Sequence, residues 1–151
     1  MSDVGPDPSG TGHGFGRALV AVYAVFALAA SARSIYQLVT KADEAPVAYA
    51  LSALAGVVYV VATLALATDR RRLAASTIGF ELLGVLSVGV LTLVDDGLFP
   101  DQTVWSGFGA GYVYIPLVLP FVGLWWLWSA GSSSRRQLKA PRTHTTRGRD
   151  H

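Results

Sequence analysis

Cysteine is absent from this chain, and histidine occurs only at His13, His144 and His151, all outside its apolar stretches. Disulfides and thiolate metal sites are therefore excluded, and no histidine is left among the apolar residues to complete a metal cluster or a serine–histidine pair. Charge is also nearly missing from those stretches. Ala18–Thr40, Pro46–Thr68, Leu73–Val94 and Tyr112–Ala130 carry between them only Arg33 and Glu81. One carboxylate cannot supply the paired acid and base of a hydrolase, so no catalytic residue, metal or cofactor is assigned and the sequence argues against an enzyme.

What is present is four runs of about 20 mostly apolar residues, each able to cross a ~30 Å hydrocarbon core as a helix rising ~1.5 Å per residue. The expected fold is all-α: a four-helix transmembrane bundle, up-down-up-down, with both termini cytoplasmic. Its spans are expected at about 18–40, 46–68, 73–94 and 112–130, with an outer loop at 95–111. A chain of 151 residues, 52% of them hydrophobic, leaves no room for a second folded domain.

Orientation follows from the basic residues, which are retained on the cytoplasmic side of a span while acidic ones count for little. With both ends inside, the inner segments hold Arg17, Arg70, Arg71, Arg72, Arg135, Arg136, Lys139, Arg142, Arg147 and Arg149, against Lys41 alone outside. The formal net charge of +2 thus hides a concentration of positive charge on one face. The expected anionic partner is the inner leaflet of the bilayer, met by Arg135, Arg136, Lys139 and Arg142, and not nucleic acid.

Residues 1–17, rich in Gly, Pro and Ser and without a basic n-region, read as a disordered tail, leaving the first helix to serve as an uncleaved signal anchor. Residues 131–151 read as a basic, disordered cytoplasmic tail. Arginine outnumbers lysine ten to two and isoleucine occurs three times, a bias of GC-rich coding that suggests a bacterial inner membrane.

The first two connections are short, as antiparallel neighbours require. The third, DDGLFPDQTVWSGFGAG at 95–111, is long and carries Leu98, Phe99, Val104, Trp105 and Phe108, which leaves two readings, an ordered cap over the outer mouth or an interfacial loop. Pro116 and Pro120 share one face of the fourth span and predict a kink in its outer half, either for packing or as a hinge. Trp125, Trp126 and Trp128 near one end and Tyr112 and Tyr114 near the other form an aromatic belt.

Helix two carries a small and polar stripe, Ala48, Ser52 and Gly56, continued by Tyr59 and Thr63. It reads as a packing face, or as a polar lining that a ligand reaches. Glu81 is the sharpest feature, because a carboxyl in the bilayer must face the bundle interior or water, pair, or stay protonated. It lies about 12 Å above the cytoplasmic edge by helical rise, near the depth of Tyr59, so a Tyr59–Glu81 hydrogen bond is expected. Thr77 and Gly84 share its face. Arg33 lies about 22 Å up, some 10 Å above Glu81, and either snorkels outward toward water, Asp95 and Asp96 or pairs with Glu81. Gln37 and Thr40 continue its face outward.

The segments ARSIYQL (32–38) and TVWSGFGAGYVYIPLVLPFVGLWWL (103–127), with the four-span layout, resemble a group of small uncharacterised integral membrane proteins of high-GC actinobacteria. The resemblance implies membrane location and layout and carries over no functional residues. In size and span number alone the chain is also loosely similar to DoxX-like membrane proteins. Two functional readings follow. The first is a non-enzymatic accessory or assembly subunit that offers the Glu81 stripe to a membrane-protein partner or a second copy. The second is a small oligomeric transporter or proton-coupled carrier in which Arg33 and Glu81 line an aqueous path.

Overall fold

The computed structural model describes residues 10–95, 97 and 99–137, with side chains from Gly14 to Gly131. Four long helices make up most of it: α1 (Gly10–Thr40), α2 (Pro46–Ala67), α3 (Arg71–Val94) and α4 (Ile115–Gln137). A short 3₁₀ helix, Ser106–Tyr112, precedes α4, and no strand occurs among the described residues. Three helical segments, Gly14–Thr40, Pro46–Ala67 and Arg71–Val94, are long and apolar enough to cross a membrane. The 3₁₀ helix and α4, bent by 98° between them, make a fourth if counted as one span.

Neighbours in sequence are neighbours in space. α1 packs most extensively on α2, α2 on α3 and α3 on α4, with a lighter contact between α1 and α4. The exterior is as apolar as the interior: Leu28 is 73% and Leu83 66% exposed, on the faces opposite the core.

Helix ends follow local chemistry. α2 opens on Pro46, whose missing N–H falls where no intrahelical partner exists. It closes with Arg70 N–H on Ala65 O at 2.8 Å and Asp69 N–H on Leu66 O at 3.3 Å, the Schellman arrangement, with Asp69 at φ 52° where glycine is usual. In the turn between α1 and α2, Lys41 Nζ meets Glu44 Oε2 at 3.3 Å, and that carboxylate holds the ammonium above the usual lysine range.

Several expected boundaries shift. Residues 10–17, expected as tail, are the first turns of α1, and α4 runs past Ala130 to Gln137. The fourth helix begins at Ile115 and not at Tyr112, because Val113 and Tyr114 adopt left-handed backbone (φ 55° and 59°) and turn the chain. The bend therefore lies at Val113–Tyr114. Pro116 is the second residue of α4, where a proline is harmless, and only Pro120 is internal to the helix. Lys139 and Arg142 lie outside the described residues, as do the side chains of Arg135 and Arg136.

From Phe99 onward the long connection is an ordered cap, and its order starts locally. Thr103 and Ser106 close a turn in which Thr103 N–H donates to Ser106 Oγ at 2.9 Å and Trp105 N–H to Thr103 Oγ1 at 3.1 Å. That turn buries Val104 and Trp105, exposed by only 1% and 2%. Glycines on α3 receive the cap: a Cβ at Gly84 would lie 2.6 Å from Trp105 Cζ3, and one at Gly89 would collide with Phe108 Cδ1. Gly109, at φ 81°, lets the chain pass Pro116, whose Cγ would be 2.7 Å from a Cβ there.

Candidate functional site

Glu81 lies in the middle of α3 with no accessible surface. Tyr23, reaching across from α1, donates its hydroxyl to Glu81 Oε2 at 2.8 Å. The tyrosine has its own support. Gly123 of α4 comes close enough that a Cβ would sit 3.4 Å from the Tyr23 hydroxyl, and the Tyr23 ring packs against Tyr59 with centroids 6.2 Å apart. α1, α3 and α4 thus converge on one carboxyl group.

Tyr59 from α2 and Trp105 from the cap complete the surroundings of Glu81. The expected Tyr59–Glu81 contact is present, with the Tyr59 hydroxyl beside both Glu81 and Trp105, but it falls short of the geometry of a regular hydrogen bond. Tyr59 OH, Glu81 Oε1 and Trp105 Nε1 lie beside one another, fully enclosed, and none makes a hydrogen bond of regular geometry among the described residues. The carboxyl therefore has one satisfied oxygen and one open oxygen, facing a hydroxyl that can donate or accept and an indole that only donates.

Arg33 does not pair with Glu81, and no ion pair to Asp95 forms; Asp96 lies outside the described residues. Its guanidinium holds the cap: Nη1 donates to Tyr112 OH and Nη2 to the Gln102 carbonyl, both at 3.2 Å. Gln37, one turn along, donates from Nε2 to Asp101 Oδ2 at 3.1 Å. The polar stripe expected on helix one is thus the cap's anchor. From Tyr112 an aromatic stack descends toward the carboxyl, through Phe26 (5.9 Å) and Tyr59 (5.6 Å from Phe26) to Tyr23.

The small residues of helix two are buried: Ala48 and Ser52 are in the interior, and a Cβ at Gly56 would lie 3.1 Å from Ser31 Oγ of α1. Gly56 therefore serves the α1–α2 contact, while Gly84 makes room for Trp105. A separate groove of about 300 Å³ between α1 and α4 is lined by Phe15, Leu19, Val118, Leu119 and other apolar side chains, and offers no polar group.

Tyr23 and Trp105 are the members that the sequence does not single out. By helical rise Tyr23 lies about 8 Å along from Ala18, against about 12 Å from Leu73 to Glu81, so depth alone does not pair them. The available signal for Trp105 is Gly84, three residues after Glu81 and on its face. No known protein family, curated protein or solved structure matches this chain.

Proposed function

We propose that this chain is a multi-pass protein of a bacterial inner membrane, both termini cytoplasmic, whose four helices form one transmembrane bundle around a proton-binding carboxyl, Glu81, and that it works as a small proton-coupled carrier. The observation that carries the reading is the half-satisfied carboxyl. An ionisable group is costly at membrane depth and is retained where it pairs or acts. Here Oε2 is held by Tyr23, while Oε1 makes no regular hydrogen bond, with Tyr59 in looser contact with the carboxyl.

The membrane placement draws support from helices of spanning length with exposed apolar faces, since soluble monomers rarely present contiguous apolar surface on this scale. The basic asymmetry supports the orientation, puts the 95–112 cap outside, and sets the positive C-terminal segment against anionic lipid.

Burial of Glu81 weighs against its use as a surface for a partner helix, the device on which the accessory-subunit reading depended. Affinity capture from native membranes in mild detergent separates the two. A homo-oligomer or lone chain agrees with a carrier, and a stoichiometric heterologous partner favours an accessory subunit. Proteoliposomes with a trapped pH indicator test the activity itself. After external acidification the lumen should acidify faster than in protein-free vesicles, and equal rates would overturn the proposal.

A further inference from the structure

Six buried side-chain polar atoms among the described residues make no hydrogen bond of regular geometry: Gln37 Oε1, Tyr49 OH, Ser52 Oγ, Tyr59 OH, Glu81 Oε1 and Trp105 Nε1, with Tyr49 in looser contact with Asp101 and Tyr59 with Glu81 and Trp105. Such orphans are rare in folded proteins, and each asks for an explanation. Their positions are not scattered. Tyr49, Ser52 and Tyr59 stand at i, i+3 and i+10 of α2, which places them within a narrow arc of one helix face and spreads them over ~15 Å of rise.

The two ends of this line differ. At one end Tyr49 lies beside Asp101, the partly exposed carboxylate that also accepts from Gln37. At the other, Tyr59 lies beside the fully buried Glu81. The widest interval, from Ser52 to Tyr59, is narrowed twice. Side chains on a helix lean toward its N-terminus, so the Tyr59 hydroxyl leans toward Ser52. Gly56, between them on the same face, admits Ser31 of α1, whose Oγ would be 3.1 Å from a Cβ at that position.

We propose that this column is the proton route between water at Asp101 and the carboxyl of Glu81, with water molecules joining the hydroxyls of Tyr49, Ser52 and Tyr59. The inference rests on the reading of Glu81 as a proton-binding group. A hydroxyl can donate and accept at once, so each relay group forms one O–H bond as it breaks another and keeps a single hydrogen. A hydronium ion at Asp101 gives one proton to the column and becomes water, each relay group passes on one hydrogen, one proton arrives on Glu81 Oε1, and no electrons are exchanged. Around that endpoint the titratable neighbours are Tyr23 from α1 and Tyr59 from α2; the cap contributes Trp105, and α4 contributes Gly123 against Tyr23.

The test is a rapid acid jump on the full-length chain in detergent, following the carboxylic C=O stretch of Glu81 by infrared absorption, with Glu81→Gln identifying the band. Ser52→Ala and Tyr49→Phe each remove one relay oxygen from the interior and should slow the rise of the band by roughly tenfold or more, with its final amplitude and the melting temperature unchanged. Thr77→Ala, which removes a hydroxyl away from the column, should leave the rate as in the wild type. Unchanged rates in both Ser52→Ala and Tyr49→Phe would overturn the route while leaving Glu81 as the proton site. A wild-type chain with no such band would instead overturn the reading of Glu81, and the route with it.

Discussion

Tyr23 donates its hydroxyl to Glu81 Oε2 at 2.8 Å, joining α1 and α3 through the interior of the molecule. Tyr59, also beside the carboxyl, makes no hydrogen bond of regular geometry to it. The two tyrosines are alike in burial and chemistry, so their phenylalanine variants form a matched pair.

Tyr23→Phe should destabilise the fold by roughly 0.5 to 2 kcal/mol, the range of interhelical hydrogen bonds in membranes. Tyr59→Phe removes a hydroxyl that makes no regular hydrogen bond and should change stability by less than about 0.5 kcal/mol. Unfolding of the two variants in the same detergent measures the difference, and an equal loss in both would show that the Tyr23 bond has no special weight.

The cap depends on Gly84, where a Cβ would lie 2.6 Å from Trp105 Cζ3. A leucine there must displace the indole. Val104, 1% exposed, is the reporter. A cysteine at Val104, introduced into a chain that has none, should resist maleimide in the otherwise native protein and react readily when combined with Gly84→Leu. Equal reactivity in both backgrounds would contradict the packing of cap on α3.

The turn after α2 gives a prediction about stability alone. Asp69 holds a left-handed conformation at φ 52°, and its ion pair with Arg71, at 3.4 Å on an exposed surface, contributes little. Asp69→Gly should therefore stabilise the protein by about 0.5 to 1 kcal/mol, since glycine meets no steric cost there. A lower melting temperature for the glycine variant would show that the aspartate side chain matters more than its backbone.

Orientation can be read with single cysteines at exposed turn positions. Ala42→Cys, between α1 and α2, should react with an impermeant maleimide in intact cells, and Thr68→Cys, at the end of α2, should not. The opposite pattern would invert the topology and place the cap on the cytoplasmic side.

The helices were legible in the sequence because apolar runs of spanning length have few alternatives. Glu81 stood out for the same reason, as a charge where charge is costly. Its partner did not. Tyr59 lies near its depth and Tyr23 does not, so counting rise favours Tyr59, and the rotation of α1 relative to α3 that brings Tyr23 to the carboxyl is not legible in one sequence. The sharp bend before α4 carried no signal, because it uses left-handed backbone at Val113 and Tyr114, residues with no turn signature, whereas the prolines that suggest a kink, Pro116 and Pro120, lie within the helix. Arg33 read as a lone intramembrane charge because its acceptors, the Gln102 carbonyl and the Tyr112 hydroxyl, belong to a segment whose return onto the helices only packing reveals.

The account stands most directly on Glu81 as a group that takes up and releases protons. Glu81→Gln keeps the shape and a hydrogen-bonding amide but cannot ionise, whereas Glu81→Ala loses both. Proton entry into proteoliposomes and melting in detergent, measured side by side, should show Gln near the wild type in stability and as inactive as Ala in proton entry. Wild-type rates of proton entry in Glu81→Gln would contradict the account and leave the carboxyl as a packing element.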